Sequence, residues 1–311
     1  MEKTIIDSGN ANGALPLKTI LLTTFLCMLF GANAVAVKIS LTGIGIYTTA
    51  ALRFGGAALL LYTFSRLTHK NIRINRKQFS QLLFLTLIFF FQISFFYSGQ
   101  SRTSASHGVL IANLLPFVIM ILAHFLLPND RINTRKVVGL LLGFTGVVLL
   151  FSDSLKVSTH HSLHGDLLIV CGVIFWGCNA TFVKRIIADY NPLQITLYPM
   201  LIGTPIYMVC ALLFDEPMII SLSPRVILAM LYQTVVTATF GFIIWNGLIS
   251  KYGATTLHSF IFIMPVSGVF LGIMLLGDPV TSSLLGSIIL VTMGLLVINR
   301  KPFRKISKIH P

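Results

Sequence analysis

The chain has 311 residues, 55% of them hydrophobic and 10% charged, with a mean hydropathy of +0.86. Soluble domains carry about a quarter charged residues, so this composition excludes an ordinary water-soluble globule and indicates a chain embedded in a lipid bilayer. The formal net charge of +14 is no sign of a nucleic-acid partner, because Lys and Arg lie between long apolar runs instead of on one solvated face.

A hydrocarbon core requires about 20 mainly apolar residues per helix. Ten such runs succeed one another: 18–38, 46–65, 79–99, 105–127, 136–152, 166–187, 193–214, 225–248, 255–276 and 282–299. None alternates with period two, which excludes a β-barrel wall. Residues 66–78 and 153–165 read as loops, and 1–16 and 301–311 as polar tails. Lys18, an apolar stretch and Ala32-Asn33-Ala34 imitate a cleavable signal peptide, but cleavage would remove a motif that the chain repeats later, so the first run is read as a span. With the N-terminus inside, 18 of the 23 Lys and Arg fall on the inner side, four on the outer, and Arg53 within a run. That bias predicts both termini on the cytoplasmic side of a cell inner membrane.

Taken in chain order, the runs carry few polar residues, and each needs a reason at membrane depth. The first closes on FGANAVAVK, with Asn33 and Lys38. An amide there either bonds between helices, worth roughly 0.6–2 kcal/mol, or faces solute across a cavity. Lys38 sits at a helix end from which it can snorkel to the interface. The second run holds Arg53, which is expected to bond helix-end carbonyls or reach the outer interface, with a carboxylate-binding role as the alternative. The third adds Gln92. The fourth holds His107, Asn113, Pro116 and His124; Pro116 frees a backbone carbonyl and kinks the helix, a group that Asn113 or water could satisfy. The sixth closes on WGCNATFVK, with Trp176, Asn179 and Lys184. The eighth adds Gln233, Trp245 and Asn246, and the ninth His258 and Pro265. His258 has no counterpart before Pro116, where Val109 stands, and a residue that breaks symmetry suits a solute that is not two-fold.

Cys27, Cys171, Cys178 and Cys210 all lie in apolar runs and form no CxxC pair, so they read as packing residues. The nine acids lie in tails, turns or the extreme ends of runs. A buried carboxylate for proton or sodium coupling is therefore not expected, which leaves His107, His124 and His258 as the side chains that could titrate near neutrality. The stretch Thr159-His160-His161-Ser162-Leu163-His164 reads as a solvated loop, and neither a metal nor a cofactor is expected.

The two nonapeptides repeat Gly31, Asn33, Ala34, Val37 and Lys38 as Gly177, Asn179, Ala180, Val183 and Lys184, each 146 positions later. Pro116 and Pro265 recur at an offset of 149. Five runs per half is an odd number, so the second half must enter the membrane upside down, the inverted-repeat arrangement of carriers. The expected fold is all-α and integral to the membrane: ten transmembrane helices as two inverted five-helix repeats, residues 17–152 and 165–300.

Over roughly residues 17–300 the chain resembles the drug/metabolite transporter superfamily, with two EamA-type domains. The resemblance rests on Phe30-Gly31-Ala32-Asn33, on Ala51-Leu52-Arg53-Phe54, on the two prolines and on the turn Leu276-Gly277-Asp278-Pro279-Val280-Thr281. The chain departs from the family pattern at Phe30, where Trp is usual, and at Pro128-Asn129-Asp130-Arg131, which lacks the Gly-acid pair. The resemblance implies a central cavity that opens alternately to the two sides, with helices five and ten peripheral and available for a homodimer. It also implies export of amino acids, related metabolites or amphiphilic cations. An uptake permease, or a small-molecule channel for a nucleoside, sugar or organic cation, is the alternative. Enzymatic readings lack their parts, since there is no GxSxG, no HExxH and no facing pair of Asp at depth. Substrate contacts are expected from Asn33, Gln92, Asn113, Trp176, Asn179, Trp245, Asn246 and His258. Gating is expected from Pro116, Pro265, Lys38, Lys184 and Arg53.

Overall fold

The computed structural model describes residues 15–103, 105–128, 130–157, 163–267 and 282–299, without the side chains of 34, 105–107 and 153–157. The His107 side chain, the His160-His161 loop and the Leu276–Thr281 turn therefore lie outside the described residues. The helices are α1 (Leu17–Leu41), α2 (Ile46–Leu67), α3 (Arg76–Gln100), α4 (Ala105–Ala112), α5 (Leu115–Leu126) and α6 (Thr134–Val157). They continue with α7 (Leu163–Ile186), α8 (Pro192–Phe214), α9 (Pro224–Leu231), α10 (Phe242–Lys251), α11 (Ala254–His258) and α12 (Ser282–Asn299). No strand occurs among the described residues; Ile44 and Ile219 form one isolated bridge. Eight described helices are long and apolar enough to cross a membrane. α2 has the length but carries Arg53, and the apolar helical stretch Ala254–Ser267 is shorter.

Three of the expected runs are not uninterrupted α-helices. The fourth breaks between Ala112 and Leu115, and α5 restarts with Pro116 in its first turn. Proline has no N–H to give and its fixed φ suits a helix start, so the expected kink becomes a break. Asn113 does not serve the freed carbonyl: its Nδ2 donates to Val109 O at 2.7 Å. In the eighth run a π-helical segment, Tyr232–Gly241, joins α9 to α10. π-turns are rare and widen the helix where they occur. The ninth passes from α11 into a 3₁₀ turn, Ser259–Phe262.

Short connections make successive helices antiparallel, which gives the bundle a near end, where α1 begins, and a far end. At the near end Asn75 with Gln78 and Asn191 with Gln194 form capping boxes that open α3 and α8. The same side chains knit the two connections together: Gln78 donates to Asp189 O, Asn191 to Asn71 O and Gln194 to Arg73 O. The buried Tyr190 hydroxyl joins them by donating to Gln81 Oε1 at 2.8 Å. Burial, and after it Asp189, pushes this phenol up to about 12, so it remains a donor at physiological pH. At the far end Asp215 Oδ2 accepts from the Thr48 N–H and hydroxyl, capping α2 from another helix. There the Ile220 and Ser221 N–H groups donate to Gly43 O.

The most extensive helix contacts are α6 with α12, α3 with α7 and α2 with α8. Between α2, α3 and α8 the rings of Phe54, Phe89 and Tyr207 pack at 4.8–5.7 Å between centroids. Leu59, Phe125 and Leu212, by contrast, are each at least two-thirds exposed. Helices apolar on all sides fit lipid contact outside and side-chain packing inside.

Candidate functional site

The α4–α5 break and the 3₁₀ turn after α11 both border a cavity of about 540 Å³. Its walls come from α1–α4, α7, α8, α10, α11 and the residues following α11, with Phe151 alone from α6 and nothing from α12. All eight expected substrate contacts, one or two from each of five helices and one from the α4–α5 break, line this one space. Of the expected gating residues Arg53 and Pro265 line it, whereas Pro116, Lys38 and Lys184 do not.

Arg53 neither reaches an interface nor bonds a helix-end carbonyl. It is 4% exposed. Its Nη1 donates to the Tyr97 hydroxyl at 2.7 Å and its Nη2 to Thr237 Oγ1 at 3.2 Å. The guanidinium lies 5.1 Å from the Phe54 ring centroid and 6.0 Å from that of Phe242, close enough for cation–π attraction. Thr237 stands in the π segment and also donates its hydroxyl to Asn33 Oδ1 or Gln233 O. An unbroken chain of polar contacts thus links α2, the π segment and α1.

The two motif asparagines differ. Asn33 is tied to Thr237 through its oxygen, while Asn179 makes no hydrogen bond to any described residue. Their lysines differ as well. Lys38 is exposed, in keeping with snorkelling. Lys184, half-buried in the last turn of α7, instead donates from Nζ to Ile249 O at 2.6 Å, covering the last carbonyls of α10 at the near end. The motif glycines, however, are alike in placement, though Gly31 faces backbone and Gly177 a side chain. A Cβ on Gly31 would stand 2.5 Å from Met264 O, and one on Gly177 would stand 2.5 Å from Val118 Cγ1. Each therefore lets its helix approach the proline-bearing helix of the other half.

The remaining walls are aromatic and amide. Trp176 meets Phe96 edge-on at 5.9 Å, and Trp245 meets Phe30 at 5.8 Å and His258 at 5.3 Å. Asn246 donates to Thr196 Oγ1. His258 Nδ1 pairs with Ala254 O at 2.8 Å; a carbonyl only accepts, so Nδ1 carries a proton. Gln92 Oε1 and Asn113 Oδ1 are buried without a donor. Gln233 lies behind the wall, its amide donating to Ser40 Oγ and Ala36 O. His124 is also outside the cavity and accepts from the Ile132 N–H.

Sequence reading missed Tyr97, Thr237 and Asp130. The hydroxyls of Thr234, Thr237 and Thr239 in one apolar run are the signal that could have found Thr237. Nothing local marks Asp130, which stands in a turn yet is 3% exposed. A turn acid is thus buried here, contrary to expectation. It pairs with Lys136 Nζ at 2.5 Å and accepts the Thr255 N–H of α11 at 3.1 Å.

Set against known proteins, residues 17–152 and 163–300 match the model of the EamA-like transporter family. The chain is 28% identical to the uncharacterized transporter YyaM of Bacillus subtilis (strain 168), over 80% of this chain and 83% of that one. It is 24% identical to a Salmonella typhimurium protein named "Probable amino-acid metabolite efflux pump", over 89% and 93% of the two. A protein of known crystal structure shares the fold with a TM-score of 0.78 at 18% identity, over 90% of this chain and 98% of that one.

Proposed function

The chain belongs to the EamA-like transporter family, and from that premise we propose that it exports amino acids or related metabolites by alternating access. Family membership makes it a multi-pass membrane transporter and not an enzyme, with the bilayer and a small-molecule solute as its partners. The observation that carries the transport reading is the cavity, where amides and indoles from both halves meet in one space. The name of the Salmonella relative supports both the solute class and the outward direction.

The proposed architecture is ten membrane helices in two inverted five-helix repeats. On this reading α4 with α5 is the fourth helix, α9 to α10 the eighth, and Ala254–Ser267 opens the ninth. Three pairs of contacts support it by exchanging partners between halves. Gly31 meets the ninth helix and Gly177 the fourth. The connection after the first helix joins that after the seventh at the far end, and the connections after the second and sixth join at the near end. Thr19 meets Tyr252 as Thr103 meets Asp166.

Asn33, Gln92, Asn113, Trp176, Asn179, Trp245, Asn246 and His258 are the proposed solute contacts. Pro116 and Pro265 are the proposed hinges, and the Lys184–Ile249 contact is one that near-end opening would have to release. The near end faces the cytoplasm of an inner membrane. A topology reporter fused after Lys77 is expected to read cytoplasmic and one after Ser221 periplasmic; the reverse pattern would refute the orientation. For transport, proteoliposomes loaded with unlabelled amino acids are expected to accumulate the labelled form by counterflow. If no amino acid, nucleoside, sugar or organic cation shows counterflow, the carrier reading fails.

A further inference from the structure

We propose that the Arg53 corner of the cavity is a subsite for a carboxylate of the transported solute, so that the carrier selects organic anions and zwitterions over amphiphilic cations. The inference rests on the transport reading above and adds a charge requirement to it.

A guanidinium carries five N–H donors. Arg53 uses one on Tyr97 and one on Thr237, and its Nε is buried with no acceptor. Both acceptors are neutral hydroxyls, and no carboxylate among the described residues lies within ion-pair distance. Elsewhere in the described chain the buried cation Lys136 has its own acid, Asp130. A permanent charge at this depth is expensive unless an anion or water meets it. Arg53 lines the cavity, so an anion in that space can supply the missing partner.

The neighbouring groups are also donors without acceptors. The Tyr97 hydroxyl accepts from Arg53, which leaves its own proton for another partner, and Tyr97 lines the cavity. Asn33 receives the Thr237 hydroxyl on Oδ1, which leaves Nδ2 unbonded among the described residues. A forked guanidinium beside a phenol and an amide matches the two oxygens of a carboxylate.

The rest of the space has the opposite character. Asn113 Oδ1 and Gln92 Oε1 have no donor, and the orientation of Asn113 follows from its Nδ2 bond to Val109 O. Phe30, Phe96, Trp176 and Trp245 supply apolar surface, and among the described residues no Asp or Glu lines the cavity. A ligand with a carboxylate at one end, an apolar body and an N–H group fits this distribution. A cation without a carboxylate would leave Arg53 uncompensated and add a second positive charge beside it.

The test uses the full chain in detergent and in proteoliposomes. Its probes are leucine and phenylalanine, each with its amide, its decarboxylated amine and its deaminated acid. Probes that carry a carboxylate are expected to raise the thermal midpoint and to show counterflow, and the amides and amines to do neither. Arg53→Gln is expected to weaken binding of the carboxylates about ten- to a hundredfold, the range for loss of a charged hydrogen-bond partner. Its ligand-free midpoint should not fall, because the substitution removes an uncompensated charge. Tyr97→Phe, which keeps the ring, should weaken the same probes less and carries the test if Arg53→Gln fails to fold. Amides or amines binding as well as the acids would overturn the inference, as would wild-type carboxylate affinity in Arg53→Gln. Counterflow of a nucleoside, sugar or amine with none of a carboxylate would overturn it while leaving the carrier reading intact. Absence of all counterflow would remove both.

Discussion

Lys136→Met is expected to destabilise the protein by roughly 3–5 kcal/mol, the usual consequence of removing one partner of a buried ion pair. Lys136 and Asp130 are 5% and 3% exposed in their side chains. The ammonium also donates to Arg131 O at 2.7 Å, and the second carboxylate oxygen holds the Thr255 N–H. Loss of the lysine leaves an anion buried with a single backbone donor. Because Asn at position 130 keeps an acceptor for Thr255 and carries no charge, Asp130→Asn/Lys136→Met should recover most of the loss. Thermal and denaturant midpoints in detergent provide the measurement. A double variant as unstable as the sum of the two single changes would show that the pair is not a unit.

Gly294→Val is expected to cost about 1–3 kcal/mol or more, the range for overpacking a close-packed contact, and to lower the folded yield sharply. A Cβ at Gly294 would stand 2.5 Å from Gly139 O and 2.9 Å from Gly143 N. Both are backbone atoms of α6, so only separation of α6 from α12 could relieve them. Between membrane helices, close packing of small residues replaces the hydrophobic drive that lipid cannot supply. Gly286 on the same helix is a control, since its Cβ would meet Leu149 Cδ2 at 2.7 Å, the mobile end of a side chain. Gly286→Ala should therefore change stability by only about 0.5 kcal/mol. Equal yields and midpoints for the two variants would refute the close-packed contact.

Much of the molecule was legible because hydropathy is a local property. The apolar runs and the prolines all act within a turn or two of their own positions. The amides and indoles that meet in the cavity were legible for a related reason: a polar group in an apolar run has few places to go. Pro116 was visible as an interruption, but whether it kinks or breaks the helix depends on the neighbours that accept each half.

What sequence alone determined, then, is a chain of apolar helices with a motif written twice and a short set of polar residues at membrane depth. Tertiary structure decided what each of those residues does. Arg53 meets Thr237 across 184 positions and Tyr97 across 44. Asp130 meets Thr255 across 125, and Lys184 meets Ile249 across 65. The nonapeptides are alike in letters, yet Asn33 is bonded and Asn179 is not, and Lys38 is exposed while Lys184 caps a helix. The glycines match in placement because each needs only the lack of a Cβ, Gly31 against Met264 O and Gly177 against the Val118 side chain. The polar side chains diverge because a hydrogen bond depends on the partner that another helix brings to it.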